Sequence, residues 1–345
     1  MHDLVIAGGG PVGMATALHA HRAGLDVVLV EPRDGAIDKA CGEGLMPGAV
    51  AELADLGVDP HGLPLAGIHY LDGTSGRGVT APFAAGRGRG VRRTVLHRAL
   101  SRRVAEAGIT TVRSAVQRVE DAGDHVVVDG RRTRYLVAAD GLHSPVRHLV
   151  GLDGGTAGRR RFGQRIHVQQ PPWTSYVEVH WSHRAEAYVT PVAEDLVGVA
   201  VLGEAGARFD DLLADFPVLQ ERLTGSRTRV RGAGPLRQRA RARSVGRVLL
   251  VGDAAGYVDA LTGEGIALGL GQARAAIACL AAGRPDSYDA VARRLGRRHE
   301  LLTHLLLQAT SHSVVRRRLV PAATRLPRVF EAAVNQLARP VGGTP

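Results

Sequence analysis

The sequence predicts an α/β fold with two different sheets and a helical C-terminal region. An apolar run at residues 3–7, a glycine turn, a helix-like segment and a second apolar run at 27–30 follow one another, as in a β-α-β unit. Residues 155–240 instead alternate between apolar and polar side chains, which is typical of half-buried antiparallel strands. From residue 286 onwards the pattern is helical and rich in arginine, so a third, helical part is expected.

Composition narrows the class of protein. The 345 residues are 45% hydrophobic and 22% charged, which is ordinary for a globular protein and excludes disorder of the whole chain. Two cysteines, Cys41 and Cys279, are too few for a disulfide framework, and no apolar run reaches membrane-spanning length. The N-terminus has no basic start and no small-residue cleavage site, so a cytoplasmic location is expected.

The net charge of +11 raises the question of nucleic-acid binding. Nearly all the basic residues are arginine, with Lys39 as the only lysine, a skew typical of a GC-rich coding bias. The arginines are scattered, and aromatic residues make up only 4% of the chain, too few for a stacking platform. We therefore expect no specific nucleic-acid partner, and we keep a binding module for an anionic partner as the non-enzymatic alternative.

The first β-α-β unit has the spacing of a dinucleotide-binding fingerprint. Gly8 would permit a tight turn, Gly10 would let the backbone approach a pyrophosphate, and Gly13 would let the helix pack against the strand. The second strand ends at Glu31, whose carboxylate can accept hydrogen bonds from ribose hydroxyls. The segment therefore predicts a Rossmann-like dinucleotide site, with the phosphates at a helix N-terminus.

Later motifs indicate which dinucleotide is bound. The chain contains a Lys-Ala-Cys-Gly-Glu-Gly loop at residues 39–44, Asp140-Gly141, and Gly252-Asp253 directly after a buried apolar run. Together with the fingerprint, this set resembles the FAD-dependent oxidoreductases of the para-hydroxybenzoate hydroxylase-like superfamily. It is most similar to the branch of geranylgeranyl reductases and bacterial flavin monooxygenases. The resemblance extends over residues 1–280 and implies FAD as cofactor, a GR2-type FAD-binding domain and no metal.

The resemblance also implies which residues touch FAD and how the domains are divided. The expected FAD-binding residues are Gly8, Gly10, Pro11, Val12, Gly13, Glu31, Pro32, Arg33, Cys41, Gly42, Arg93, Val116, Asp140, Gly141, Gly252, Asp253, Gly263, Gly265 and Ile266. The expected domains are a discontinuous FAD-binding domain (1–65, 90–155 and 242–285), an inserted antiparallel β-sheet domain for substrate (66–89 and 156–241) and a C-terminal helical region (286–345).

The expected activity is an NAD(P)H-consuming monooxygenation. The resemblance implies O₂ as co-substrate and hydroxylation of an aromatic, phenolic or lipid-like small molecule through a flavin C4a-hydroperoxide. Cys41 and Glu43 are the candidate catalytic residues, and Tyr188 and His180 the candidate substrate-binding residues. The alternative is reduction of a carbon–carbon double bond in an apolar substrate, as in geranylgeranyl reductases.

Two further features bear on the substrate and its delivery. The tyrosine-tryptophan-phenylalanine-proline pattern that contacts the isoprenoid in geranylgeranyl reductases is replaced here by Glu-Ala-Tyr-Val-Thr-Pro at residues 186–191, which keeps the proline and little else. That departure argues against a long isoprenoid. The C-terminal region alternates apolar and basic residues, so peripheral membrane contact is an alternative to a plain helical cap. The sequence does not predict the exact substrate, the choice of NADH or NADPH, a separate flavin reductase, or the oligomeric state.

Overall fold

The computed structural model describes residues 1–156, 160–339 and 341. The strands are β1 (His2–Ala7), β2 (Val27–Val30), β3 (Gly44–Leu45), β4 (Leu63–Leu65), β5 (Gly67–Asp72), β6 (Gly78–Pro82), β7 (Gly88–Gly90), β8 (Thr110–Val112), β9 (Val119–Asp121), β10 (Val126–Val128), β11 (Arg131–Ala138), β12 (Arg161–Gln169), β13 (Tyr176–Trp181), β14 (Glu186–Ala193), β15 (Leu196–Glu204), β16 (Ser226–Arg227), β17 (Arg231–Ala233), β18 (Ser244–Val245) and β19 (Val248–Leu250). The helices are α1 (Pro11–Arg22), α2 (Pro47–Asp55), α3 (Arg93–Glu106), α4 (Pro145–Leu149), α5 (Phe209–Leu213), α6 (Pro217–Arg222), α7 (Gly265–Ala281), α8 (Tyr288–Ser311), α9 (Ser313–Arg325) and α10 (Pro327–Ala338).

The first sheet brings distant parts of the sequence to one edge. Its order is β18-β19-β11-β1-β2-β8, and β19, β11, β1, β2 and β8 run parallel. Helices α1, α3 and α7 cover one face with a continuous apolar core. Because parallel strands end at the same edge, the turns after β1, β2, β11 and β19 meet there, where open α/β sheets bind their ligands.

The second sheet is mostly antiparallel and forms the wall of a cavity. Its order is β16-β12-β15-β14-β13-β5-β6, with a parallel pair where β13 meets β5. The alternating strands predicted within residues 155–240 are found as β12, β13, β14 and β15. Helices α5 and α6 pack on one face of this sheet, and α9 and α10 lie against the other.

The C-terminal helices connect the two sheets. Tyr288 at the start of α8 is buried, and its hydroxyl donates a hydrogen bond to the Leu250 carbonyl at 2.9 Å, which ties α8 to β19. Among the described residues, no helix has both the length and the apolar character needed to cross a bilayer. The predicted α/β class, with a Rossmann-like sheet, an antiparallel sheet and C-terminal helices, is confirmed. The domain boundaries stay a prediction.

Candidate functional site

A cleft opens at the carboxyl edge of the parallel sheet. Among the residues predicted from the sequence, those that line it are Gly10, Pro11, Val12, Arg33, Arg93, Asp140, Gly141, Asp253, Gly265 and Ile266. They come from six separate stretches of the chain, most of which the sheet order brings to one edge. Lys39 and His143 also line the cleft and are not among the predicted FAD contacts.

The three fingerprint glycines have different roles in the structure. Gly8 has φ +104°, a conformation that disfavours other residues. A Cβ on Gly13 would lie 1.8 Å from the Gly8 carbonyl oxygen, so helix and turn can approach only with glycine there. A Cβ on Gly10 would meet no protein atom within 4 Å. The protein itself therefore needs Gly8 and Gly13, whereas Gly10 leaves open space in the cleft for a ligand.

Glu31 is held as a hydrogen-bond acceptor. Its Oε2 accepts from the Gly9 amide at 2.7 Å, and its Oε1 accepts from Arg33 Nε at 2.7 Å. Burial alone would raise the pKa of Glu31, but the hydrogen bonds from Arg33 and Gly9 outweigh it, and the pKa is lowered. Glu31 is therefore ionised at neutral pH, so both of its oxygens can act only as acceptors.

Two buried polar atoms beside the cleft have no partner among the described residues. They are Arg93 Nε, at the start of α3, and Asp140 Oδ1, after β11. Asp140 Oδ2 accepts from the Val146 amide at 3.0 Å, and burial raises the pKa of Asp140. A phosphate would give Arg93 its missing acceptor, and a hydroxyl would give Asp140 its missing donor. The residues present therefore fit the FAD that the resemblance implies.

Lys39 joins the two sides of the cleft. Its Nζ lies 3.4 Å from Asp253 Oδ2, and Asp253 lies in the turn that follows β19. A Cβ on Gly141 would lie 3.8 Å from the same Nζ. The only lysine of the chain thus lies between two of the predicted FAD motifs.

An apolar cavity adjoins the cleft and shares Lys39, Arg93, Asp253 and Gly265 with it. One wall is a row of paired residues across the second sheet: Tyr70, Val179, Tyr188, Ala200 and Arg165. The other lining side chains include Met46, Ile68, Val177, Leu202, Leu236 and Leu261, with Val334 and Leu337 from α10. The predicted residues Cys41, Gly42, Glu43 and Gly263 also line this cavity.

The loop that carries Cys41 is fastened to the second sheet by buried hydrogen bonds. Glu43 has φ 59° and is 3% exposed, and its Oε1 accepts from the Arg93 amide at 2.8 Å. Its Oε2 lies 2.7 Å from His167 Nε2. His167 Nδ1 is 3.0 Å from Arg165 Nη1, which can only donate, so Nε2 carries the proton and donates to Glu43. Arg165 is paired in turn with Asp38.

Sequence reasoning did not identify His167 as part of the site. Its strand alternates Ile166 and Val168 with Arg165 and His167, and such a pattern predicts that the polar side chains face water. In the structure both polar side chains are buried, at about 2% exposure each, because they face the Cys41 loop. The sequence signal for this buried pair was two polar residues at alternate positions of one strand. That both faces of the strand are covered is visible only in the structure.

Removing the His167 side chain should loosen this loop. We expect His167→Ala to lower the free energy of unfolding by about 2–3 kcal/mol, because the buried Glu43 carboxyl group loses its donor. Urea unfolding of the two FAD-bound proteins measures this. The exposed variant His312→Ala is the control and should unfold like wild type. Equal stability of His167→Ala and the control would contradict the assignment.

The two predicted substrate-binding residues lie on opposite faces of the second sheet. Tyr188 lines the cavity, and its hydroxyl donates to the Leu261 carbonyl at 2.9 Å, so it holds the segment before Gly263. His180 lies on the other face, 3.0 Å from Glu178 and packed edge-on against Phe216. The structure therefore does not bring His180 to the cavity.

Other predicted residues support the cleft without lining it. Gly252 has φ +60°, and its amide donates to Gln272 Oε1 at 2.8 Å, which fixes the turn before Asp253. Val116 packs on an apolar cluster of the first sheet, and Pro32 is exposed beside Glu31. Neither Val116 nor Pro32 lines the cleft, so their contacts with the adenosine end stay a prediction.

The Cys41 side chain is a neutral thiol at physiological pH. Burial is the main reason that the pKa of Cys41 is raised, although nearby Arg93 acts in the opposite direction. The backbone amide of Glu43 donates to its sulfur at 3.3 Å. Cys41 therefore presents a protonated sulfur to the cavity and is not a thiolate nucleophile.

A buried group of charges lies behind the cavity and includes Asp259. Glu186 is paired with Arg161 and Arg316, and Asp259 Oδ1 lies 3.5 Å from Arg161 Nη1. Burial raises the pKa of Asp259 to about 6, and Arg161 only partly opposes this. Between the unfolded pKa of 3.8 and this value, the folded state holds a proton that the unfolded state releases.

Stability should therefore fall as the pH rises through this range. We expect wild type to lose about 3 kcal/mol of stability relative to Asp259→Asn between about pH 4 and pH 6, with no further relative change above it. Urea unfolding of both proteins at several pH values measures the difference. Parallel pH profiles for the two proteins would show that Asp259 does not titrate in this way.

Comparison with known proteins finds sequence relatives over most of the chain. A family model described as "FAD binding domain" matches residues 1–202. A menaquinone reductase of Mycolicibacterium smegmatis is 30% identical, over 83% of this chain and 78% of that protein. A digeranylgeranylglycerophospholipid reductase of Methanothermobacter thermautotrophicus is 27% identical, over 85% of this chain and 80% of that protein.

Solved structures agree on the fold. A flavin-dependent halogenase superposes with a TM-score of 0.78 at 20% identity, covering 98% of this chain and 72% of that chain. A p-nitrophenol 4-monooxygenase from Pseudomonas putida superposes with a TM-score of 0.76 at 18% identity, covering 98% and 95%. At these identities the likeness shows a shared architecture.

Proposed function

This chain belongs to the FAD binding domain family and is an FAD-dependent oxidoreductase, and from that premise we propose that it reduces carbon–carbon double bonds in a long apolar chain. Membership of this family confirms the prediction that the protein is an FAD-dependent enzyme. The alternative of a non-enzymatic binding module is therefore dropped. NAD(P)H is the proposed reductant. The observation that carries the proposal is the apolar cavity beside the FAD cleft.

The cavity is built for an apolar occupant. The wall residues supplied by β5, β13 and β15 are Ile68, Tyr70, Val177, Val179, Ala200 and Leu202. Most of the charged lining residues are already engaged, since Lys39 pairs with Asp253, Glu43 with His167 and Arg165 with Asp38. Burial of an apolar chain against such a wall is favourable, whereas an ionised phenol would find little to compensate its desolvation.

Tyr70 and Tyr188 keep aromatic side chains in the cavity wall despite the departure at residues 186–191. The Tyr70 ring lies 5.5 Å from the Trp181 ring and 4.7 Å from the Phe330 ring, and these contacts hold it in place. The two relatives are named for menaquinone and digeranylgeranylglycerophospholipid. Both compounds carry unsaturated isoprenoid chains, which supports this substrate class.

We assign roles to the residues of the site as follows. The cleft residues from Gly10 to Ile266 hold FAD, which supplies hydride when it is bound and reduced. The Cys41 thiol supplies the proton that completes the reduction, and Glu43 positions the Cys41 loop and is not itself a proton donor. Tyr188 orients the Leu261 segment. NAD(P)H provides both electrons, so molecular oxygen is not required.

Hydroxylation of an aromatic substrate is the second candidate, since Tyr70, Tyr188 and Tyr257 line the cavity and suit a flat ring.

Reduction and hydroxylation differ in their products. Geranylgeraniol has carbon–carbon double bonds and no quinone ring, so we expect it to gain pairs of hydrogen atoms during NAD(P)H oxidation without oxygen. Mass spectrometry of the extracted lipid measures this.

Two outcomes would overturn the proposed reduction. One is a product that gains a single oxygen atom, formed in air only. The other is NAD(P)H oxidation with no change in any isoprenoid alcohol or isoprenoid quinone tested. Cys41→Ala should slow product formation by about 100- to 10,000-fold, as expected for loss of a general acid, while NAD(P)H still reduces the flavin. Equal slowing of both steps would contradict the role given to Cys41.

A further inference from the structure

The C-terminal helices expose a set of large apolar side chains. We call this set, together with the arginines described below, the C-terminal surface. The apolar side chains of this surface are between 43% and 64% exposed. They belong to Leu301, Leu305, Val314, Val315, Leu326 and Val329. Such side chains cost free energy in water, and several of them on adjoining helices mark an interaction surface.

The same helices carry a strong positive charge. Residues 301–345 contain six arginines and a single acidic residue, Glu331. Arg317, Arg318, Arg325 and Arg328 are exposed, and in the part of the chain that the structure describes none of them has a carboxylate partner. A partner for this surface must therefore be apolar and negatively charged.

Helix geometry places the two kinds of side chain together. In α9, Val314, Arg318 and Arg325 are four and seven residues apart, so they share one helix face. The opposite face is occupied, since Arg316 pairs with buried Glu186 and Val320 is buried. At the corner between α9 and α10, residues 325–329 are all exposed, and they combine two arginines with three apolar residues.

The C-terminal surface adjoins the cavity through α10. Val334 and Leu337 of α10 line the cavity, whereas Arg328 and Val329 lie in the first turn of the same helix and face solvent. One helix thus forms both a wall of the substrate cavity and part of the basic, apolar surface. Resting on the proposed function, we propose that the C-terminal surface docks on the face of an anionic lipid bilayer.

On such a bilayer, the arginines would contact lipid phosphates and the apolar side chains would enter the headgroup region. An unsaturated lipid chain could then pass into the cavity without crossing water. A second copy of the chain fits the surface less well. A symmetric dimer would bring the four arginines of each copy together, with only Glu331 to offset them.

Vesicle sedimentation of the FAD-bound protein tests the proposal. We expect binding to vesicles of phosphatidylcholine with phosphatidylglycerol, weak binding to phosphatidylcholine alone, and loss of binding in high salt. The double variant Arg325→Ser with Arg328→Ser should bind about 25-fold more weakly, at about fivefold for each arginine. The matched control is Arg98→Ser with Arg102→Ser, two exposed arginines on α3.

Several results would overturn the docking proposal. Equal binding to both kinds of vesicle would do so, as would equal weakening by the α9–α10 variant and the α3 control. Size-exclusion chromatography tests the remaining alternative, that the surface is an interface between two copies of the chain. If Leu326→Ser with Val329→Ser converts a dimer to a monomer and leaves vesicle binding unchanged, the surface is an interface between two copies.

Failure of the docking proposal can be told apart from failure of the proposed function. Turnover of geranylgeraniol dispersed in detergent does not require a bilayer, so both arginine variants should match wild type in that assay. With substrate embedded in anionic vesicles, only the Arg325 and Arg328 variant should slow. Absence of turnover in both assays would instead reject the substrate class.

Discussion

Gly10→Val should weaken FAD binding by about 10- to 100-fold while leaving the fold intact. A Cβ at Gly10 meets no protein atom within 4 Å, so the added methyl groups would enter the cleft and not the protein core. Overfilling a close-packed site costs about 1–3 kcal/mol, which gives a change of this size in the dissociation constant. Flavin fluorescence titration of the FAD-free proteins measures it.

The chain offers a matched control for this variant. Gly232 has an ordinary backbone conformation, and its added Cβ has no neighbour closer than 4.0 Å, but it lies in β17 of the second sheet. Gly232→Val should therefore bind FAD like wild type. Unchanged binding by Gly10→Val, with an unchanged circular dichroism spectrum, would place the pyrophosphate elsewhere.

Leu337→Trp should lower kcat/KM for a long isoprenoid alcohol by about 10-fold or more. Leu337 lines the cavity from α10, and a larger ring at this position would occupy space needed by the chain. The FAD cleft is formed by other segments, so flavin content and the rate of flavin reduction by NAD(P)H should not change. Steady-state rates with geranylgeraniol and with a short prenyl alcohol measure the effect.

The neighbouring position on α10 provides the comparison. Gln336 is exposed, so Gln336→Trp adds the same ring outside the cavity and should behave like wild type. A short prenyl alcohol should be less affected by Leu337→Trp than geranylgeraniol. If Leu337→Trp and Gln336→Trp have the same effect on geranylgeraniol, the cavity is not the substrate site.

The residues at the carboxyl edge of the parallel sheet could be predicted because they follow a local rule. Each of Gly10, Asp140 and Asp253 comes within three residues of the end of a short apolar run, and parallel strands end at one edge. The spacing of the glycines and the order of the strands therefore suffice to bring them together. In the structure these three residues line one cleft.

The support of the Cys41 loop could not be predicted in the same way. Glu43 and His167 are separated by 124 residues, and each is polar in a segment where polar residues normally face water. His180 shows the related difficulty. Successive side chains of β13 point to opposite faces of the second sheet. Helices cover both faces, so the sequence pattern does not show which face borders the cavity.

We propose that the cleft would hold FAD, and that reduced FAD would there supply electrons directly to an unsaturated apolar chain in the adjoining cavity. The most direct test of this proposal is a single turnover without oxygen, in which enzyme with reduced FAD is mixed with geranylgeraniol. We expect the absorbance of oxidised flavin to return in proportion to the double bonds saturated, and Leu337→Trp to slow this return. Flavin that stays reduced with every isoprenoid chain until air is admitted would contradict the account.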